Sequence, residues 1–302
     1  MAAYGHDLQF GIFATPAAEP ADHAVELAIV AEEAGLDLAT FQDHPYNPQF
    51  LDTWTLLAFA ASKTSRIHLA GNVLNLPLRD PVELARSVAT LDQLSGGRIE
   101  LGLGAGAFWD GIGTMGGRKL TAGQSIEALS EGIELIQELW NADEPAALSY
   151  EGTHYRVEGV PRGPAPAHDA GIWIGAYKPR ILRLTGRLAT GWLPSLSYLP
   201  DGPASLAEMN AEIDAAAIAA GRQPSDIRRM LNINGRFMES ERGLFQGPPE
   251  SWARQIVEIE RDYGISTFIL AADDPQTIAL FGTVIAPLAR EMAMEPTEPS
   301  FS

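Results

Sequence analysis

Apolar positions along the chain change period repeatedly. Leu8, Phe10 and Ile12 alternate as in a strand; Val25, Ala28 and Ile29 then recur at helical spacing until Gly35 supplies a stop. Residues 36–41 read as a strand, 52–62 as a helix and 66–73 as a strand. Pro81 stands near the start of a helix that runs to Leu94, before the Ser95-Gly96-Gly97 turn, and Ile99, Leu101 and Leu103 alternate again. Thr121 caps a helix in which Ile126, Leu129, Ile133, Ile136 and Trp140 share one face.

The rhythm breaks after Asn141. Residues 144–169 are proline-rich, and 148–155 within them read as a small hairpin inserted in a loop. Pairing then resumes as strand 172–175, helix 180–189, strand 192–193, helix 204–220, strand 230–237, helix 250–263, strand 267–270 and helix 275–292, the last kinked or shortened by Pro287. Eight strand-then-helix units in strict order require a parallel sheet, and eight close naturally into an α/β TIM barrel. A doubly wound open sheet is the competitor. With no internal repeat or low-complexity linker, one domain over 1–302 with an insertion near 144–169 is expected.

Composition narrows the class. A chain of 302 residues, 46% hydrophobic and 20% charged, can bury a full core. No apolar run approaches the ~20 residues a bilayer needs, and no basic-then-apolar leader opens the chain, so a membrane or secretory role is not expected. Zero cysteines exclude disulfides, thiolate metal sites and thiol nucleophiles, and fit a cytoplasmic protein. Against 39 acidic residues stand 21 basic ones, a net charge of −18, and no Lys or Arg precedes Lys63. Nucleic-acid binding needs a basic stripe that this chain lacks. An anionic cofactor would have to be held by local backbone donors.

In a TIM barrel the loops after the strands build the site. His44, after the second strand, is placed to move protons, with Asp43 or a carbonyl setting its tautomer; a packing role is the equal alternative. Gly102, Gly104 and Gly106 fall on one side of the fourth strand by the two-residue period, a bare face that admits either a planar ring or a close-packed neighbour. Gly111-Ile112-Gly113-Thr114-Met115-Gly116 has dinucleotide-fingerprint spacing but does not join strand to helix directly, and reads as a flexible loop over the barrel mouth. Lys178 before Pro179 is a phosphate donor or merely solvated, with the solvated reading preferred. Trp54, Phe108, Trp109, Trp173 and Trp192 are candidates for an aromatic mouth. Six scattered histidines give no metal-binding pattern, and no metal is expected.

Several ordered stretches resemble the luciferase-like oxidoreductase superfamily: residues 72–77, 91–98 with 102–106, 172–176 with 186–192, and Gly247-Pro248-Pro249-Glu250 before a helix. The resemblance spans nearly the whole chain. It implies a TIM barrel using a flavin mononucleotide (FMN) or the deazaflavin coenzyme F-420, usually bound without covalent attachment. By position, His44 resembles the family's catalytic histidine, with Asp43 beside it in the cofactor-binding set. Asn72-Val73 resembles the third-strand bulge, often a non-prolyl cis peptide, that backs the ring. Ala105-Gly106 is similar to the loop that meets the ring or tail, and Gly175-Ala176 to the loop near the cofactor phosphate. Ala107 departs from the pattern, since some deazaflavin-dependent members carry a glutamate near there, and no long luciferase lid is visible.

The resemblance thus implies a flavoprotein oxidoreductase, either a monooxygenase or a hydride-transfer enzyme, acting on a small organic substrate, with a homodimer as the expected assembly. The alternatives are a non-catalytic flavin-binding barrel, a Schiff-base enzyme using Lys178, and a hydrolase using Asp43 and Asp273.

Overall fold

The computed structural model describes residues 4–295, so the expected bounds of 1–302 run past them at both ends. Eight parallel strands form its centre: β1 (Gln9–Ala14), β2 (Leu38–Phe41), β3 (His68–Gly71), β4 (Ile99–Gly104), β5 (Ile172–Ile174), β6 (Gly191–Trp192), β7 (Arg228–Ile233) and β8 (Thr267–Ala271). Each pairs with its sequence neighbour, and β1 with β8, so the sheet closes. Eight helices surround it: α1 (His23–Glu33), α2 (Thr53–Lys63), α3 (Pro81–Ser95), α4 (Ala122–Trp140), α5 (Pro179–Leu188), α6 (Ser205–Ala219), α7 (Pro249–Tyr263) and α8, which runs from Pro275 to Met294.

Local chemistry sets these boundaries. Asp52 and Asp80 accept from first-turn N–H groups of α2 and α3, and Thr121 forms a capping box with Gln124 at α4. Arg98, in the 91–98 motif, is buried and donates to carbonyls of Ala61, Thr64, Ile67 and Ser95, closing the C-terminal end of α2. The inserted hairpin pairs Leu148–Glu151 with Arg156–Val160. The Glu131 carboxylate on α4 holds its turn by accepting from the N–H groups of Thr153, His154 and Tyr155.

Two details depart from expectation. Pro287 does not end α8: a π-turn at Phe281–Ile285 comes first, and its wider winding accommodates a residue with no N–H. At 20 residues α8 is also long and apolar enough, by length and composition alone, to cross a membrane, contrary to the expectation from apolar runs. Here it lies among the barrel's outer helices, against α1 and α7.

Strand parity divides the core. Outward residues such as Phe10, Ile12, Leu69, Ile99 and Leu101 pack under the helices. Inward residues Leu38, Ala70, Trp173, Leu193, Met230 and Ile269 form an apolar plug, with Phe13 and Val73 against it. Trp173 therefore fills the barrel, and Trp192 is fully buried outside it, so neither lines a mouth.

Candidate active site

Above the plug, at the C-terminal mouth, lies a buried polar ladder. Thr40 donates to the Ile12 carbonyl. The Asn72 amide donates to Thr40 Oγ1 (3.1 Å) and Asn232 Oδ1 (2.8 Å); Asn232 returns a bond to Asn72 Oδ1 and donates to Ser195 Oγ, each at 3.1 Å. Both asparagines are nearly inaccessible, so these bonds are their compensation for burial.

The ladder holds the turn after β3. The Asn72–Val73 peptide is cis, and Leu74–Asn75 then rejoin β4 opposite Leu103 and Gly104. This turn occupies the glycine face of β4. A Cβ on Gly102 would lie 2.1 Å from the Gly71 carbonyl oxygen, and one on Gly104 would lie 2.8 Å from Val73 Cγ2. Of the two readings of this bare face, the close-packed neighbour is the one observed: backbone and the Val73 isopropyl group fill it. Gly106 does not share that face. Its φ is +90°, and a Cβ there would meet Pro77 and Trp109. Gly175 borders the same isopropyl group, its would-be Cβ at 3.6 Å.

His44 sits half-buried beside this floor. Its Nδ1 lies 2.7 Å from the Tyr46 hydroxyl, and its ring is flanked by Phe50 and, edge-on at 5.2 Å, by Phe108. Burial in this aromatic cup holds the imidazole below its ordinary pKa, an effect partly opposed by the Asp43 charge. Burial likewise raises the Tyr46 phenol, so it stays protonated. Because a hydroxyl can donate or accept, Tyr46 keeps its bond in either imidazole tautomer, leaving Nε2 free to give or take a proton.

Asp43 does not hold the imidazole. Its carboxylate takes two bonds from the Arg79 guanidinium (2.9 and 3.2 Å) and one from the Asn75 N–H (2.8 Å). It therefore ties the loop carrying His44 to the segment carrying Val73, and Tyr46 takes the orienting role expected of Asp43. Gly111 and Gly113 lie not in a flexible loop but in a short helix, Trp109–Thr114. A Cβ on Gly111 would stand 2.7 Å from the Tyr46 ring, so the missing side chain lets this helix close over Tyr46.

Among the remaining candidates, Ala105 lines a cavity of about 320 Å³ bounded also by Pro77, Arg79, Arg118 and Tyr155. A larger one, about 800 Å³ between α7 and the end of α8, touches none of the expected site residues. Gly175 is half-buried at the mouth, but Ala176 turns into the outer core and its carbonyl accepts from Trp192 Nε1, so only its N–H could serve a ligand. Lys178 is exposed before α5. Asp273 is engaged by the Thr15 N–H and hydroxyl, while Asp43 is held by Arg79, so neither carboxylate of the hydrolase alternative is free.

Thr40, Tyr46, Arg79 and Asn232 escaped sequence reasoning. Only Asn232 left a clear signal, a single amide inside the apolar run 230–233.

The described residues form a closed parallel α/β barrel with a cis-peptide turn and a histidine at its C-terminal mouth. The family model for luciferase-like monooxygenases matches residues 6–236, and the chain belongs to that family. It is 29% identical over 273 residues to the F420-dependent glucose-6-phosphate dehydrogenase of Nocardia farcinica, covering 86% of this chain and 78% of that one. Over 195 residues it is 30% identical to the 5,10-methylenetetrahydromethanopterin reductase of Archaeoglobus fulgidus, covering 64% and 54% respectively. In fold it is similar to an F420-dependent secondary alcohol dehydrogenase solved with an F420-acetone adduct, with a TM-score of 0.81 at 19% identity over 94% of this chain and 99% of that one.

Proposed function

We propose that this oxidoreductase uses the deazaflavin F420, with its ring on Val73 and His44 as the proton carrier. The chain belongs to an oxidoreductase family that works with F420 or FMN; the choice of F420 rests on the two curated relatives above. The observation that carries the reading is the cis turn that seats Val73 on the glycine face of β4, beside a histidine whose Nε2 is free.

The residues present fit such a group. Val73 offers an apolar floor, and Gly175 leaves a methyl-sized gap beside it. Asn75 Oδ1 is buried with no hydrogen-bond partner among the described residues, an acceptor that a bound polar edge can satisfy. Backbone at Ala105-Gly106 and Gly175-Ala176 would supply donors to the rest of the cofactor, as a chain of net charge −18 requires.

When bound, a deazaflavin supplies hydride transfer to or from a substrate carbon. His44 Nε2 takes the proton of the group being oxidised, or returns it on reduction. Tyr46 keeps the imidazole oriented throughout, and Phe50 and Phe108 flank its ring. The cup suits a small, uncharged organic substrate. A sugar phosphate is not proposed, because Ala107 stands near where some deazaflavin members carry an acid. The same reading puts the enzyme in the cytoplasm and allows pairing through its outer helices.

The test is to titrate the purified protein separately with F420 and FMN, following cofactor fluorescence. Saturable micromolar binding of F420, tighter than FMN, is expected. Tighter FMN binding overturns the deazaflavin assignment, and failure of both overturns the role given to Val73.

A further inference from the structure

Opposite the active mouth, the N-terminal end of the barrel carries a cluster that the proposed reaction does not use. His68 opens β3 and Glu100 lies near the start of β4, both on inward-facing positions, while His168 arrives from the end of the insertion between α4 and β5. His68 Nδ1 is 3.2 Å from Glu100 Oε1 and His168 Nε2 is 3.3 Å from the same oxygen; the three atoms all lie within 4.8 Å of one another. We propose that His68, Glu100 and His168 form a binding site for a divalent transition metal of the zinc type, pinning the insertion to the barrel floor.

The donor set, two imidazole nitrogens and one carboxylate oxygen, is a zinc set with a fourth position left for water. Donors about 2.1 Å from a tetrahedral ion stand roughly 3.4 Å apart, close to the two separations measured here. The third separation, between the two imidazole nitrogens, is within 4.8 Å, and the 41% exposed His68 side chain has room to turn toward an ion.

The independent support is the shell behind the ligands. His168 Nδ1 lies 3.0 Å from the carboxylate of Asp92, a side chain with no solvent exposure that also accepts from the N–H groups of Ile99 and Ala167. This is the carboxylate–histidine arrangement that fixes a metal-binding imidazole with its other nitrogen aimed at the ion. Glu100 is fixed in the same way, its Oε2 accepting from the Gly171 N–H at 2.6 Å. Arg228 is the nearby cation, and one of its nitrogens is engaged by the Asp7 carbonyl at 3.0 Å. On binding, the metal displaces the hydrogens that His168 Nε2 and His68 Nδ1 direct at Glu100 Oε1: the first is released to solvent and the second moves to His68 Nε2, the other tautomer. Scattered positions 68, 100 and 168 hid this cluster from sequence reasoning, which expected no metal.

The test uses the full chain, freed of metal with a chelator and titrated with Co²⁺ by visible absorption, then with Zn²⁺ by calorimetry. One equivalent is expected to bind with saturation and to raise the melting temperature. The variant His68→Ala should bind at least about tenfold more weakly, since even supporting-shell losses cost 10–100-fold. His68→Gln serves if the alanine variant does not fold, and the melting curve of each metal-free variant reports folding. Absence of saturable binding, or equal affinity in a folded His68 variant, overturns the proposal. These readouts do not involve turnover, so they stand apart from the outcome of the cofactor titration.

Discussion

Replacing the three glycines around Val73 with alanine, one at a time, probes the proposed floor of the active site most directly. None of the three has a positive φ, so alanine is tolerated by the backbone and only the space differs. At Gly102 the new methyl would stand 2.1 Å from the Gly71 carbonyl oxygen. That oxygen is backbone of the paired strand, so the barrel itself must yield. Overpacking costs about 1–3 kcal/mol, occasionally more, while alanine recovers roughly 0.4–1 kcal/mol by restricting the unfolded chain. A net loss of about 2 kcal/mol or more is expected. At Gly104 the obstacle is Val73 Cγ2 at 2.8 Å, a side-chain atom that can swing, and about 1 kcal/mol is expected. At Gly175 the nearest atom is 3.6 Å away, an ordinary contact, so stability should be unchanged or gain a few tenths of a kcal/mol. Urea denaturation reads all three as midpoint shifts at constant slope. Cofactor titration should rank them differently: Gly104→Ala displaces the floor and Gly175→Ala fills the gap beside it, so both should bind the ring more weakly. Equal midpoints for Gly102→Ala and Gly175→Ala would refute the packing argument. Undiminished cofactor binding by a folded Gly104→Ala would refute Val73 as the floor.

Further outcomes follow from the same geometry. His44→Ala should lower kcat by roughly 10²–10⁴-fold, the usual worth of a general acid–base, with cofactor affinity nearly unchanged; an unchanged rate removes the role given to it. Because burial depresses the His44 pKa, the unfolded chain takes up the proton first as pH falls. The stability tied to neutral His44 is therefore full above about 6.5 and lost as pH falls through the depressed value, so urea midpoints of wild type and His44→Ala should converge on acidification. Tyr46→Phe should keep the fold and lower kcat by up to about tenfold for one lost hydrogen bond, with a changed pH profile that a packing role would not produce. Asp43→Asn should cost about 2–3 kcal/mol, less than the 3–5 of a fully broken buried pair, because Asp52 still faces Arg79 at 3.2 Å; Asp52→Asn should cost under about 1 kcal/mol, and equal losses in urea would contradict that division.

Much of the barrel was legible because it is written in periods. Each expected strand or helix has a counterpart near its predicted place, since strand alternation and helical stripes are local signals and Asp52, Asp80 and Thr121 mark helix starts by local chemistry. Contacts between distant strands were not legible in that way. The period of two put Gly102 and Gly104 on one face correctly, but it could not say that Val73, some thirty residues earlier, would return to cover them. The loop after β2 misled for a similar reason. Adjacency offered Asp43 as the partner of His44, whereas neighbours along an extended chain point apart, and the partner proved to be Tyr46, two residues on. Gly111 read as flexibility because its reason, the close approach of a short helix to the Tyr46 ring, lies across a loop.

The placement of Asp43 also bears on how the site works. One buried carboxylate receives the Asn75 N–H and the Arg79 guanidinium while its own backbone leads directly into His44. Val73, the proposed ring floor, and His44, the proposed proton carrier, thus hang from a single anchor, two residues away on one side and one on the other. Below them the Asn72–Asn232 pair ties the same floor across the barrel to β7. Removing the far side of that bridge leaves the buried Asn72 amide oxygen unpaired and its NH2 with Thr40 alone, at about 1–3 kcal/mol. Asn232→Ala should therefore lose both stability and cofactor affinity, whereas His44→Ala loses turnover and keeps its cofactor affinity. A folded Asn232→Ala that binds the cofactor as wild type does would mean that the cis turn holds its shape without the ladder, and that Asp43 and Arg79 suffice to fix the floor.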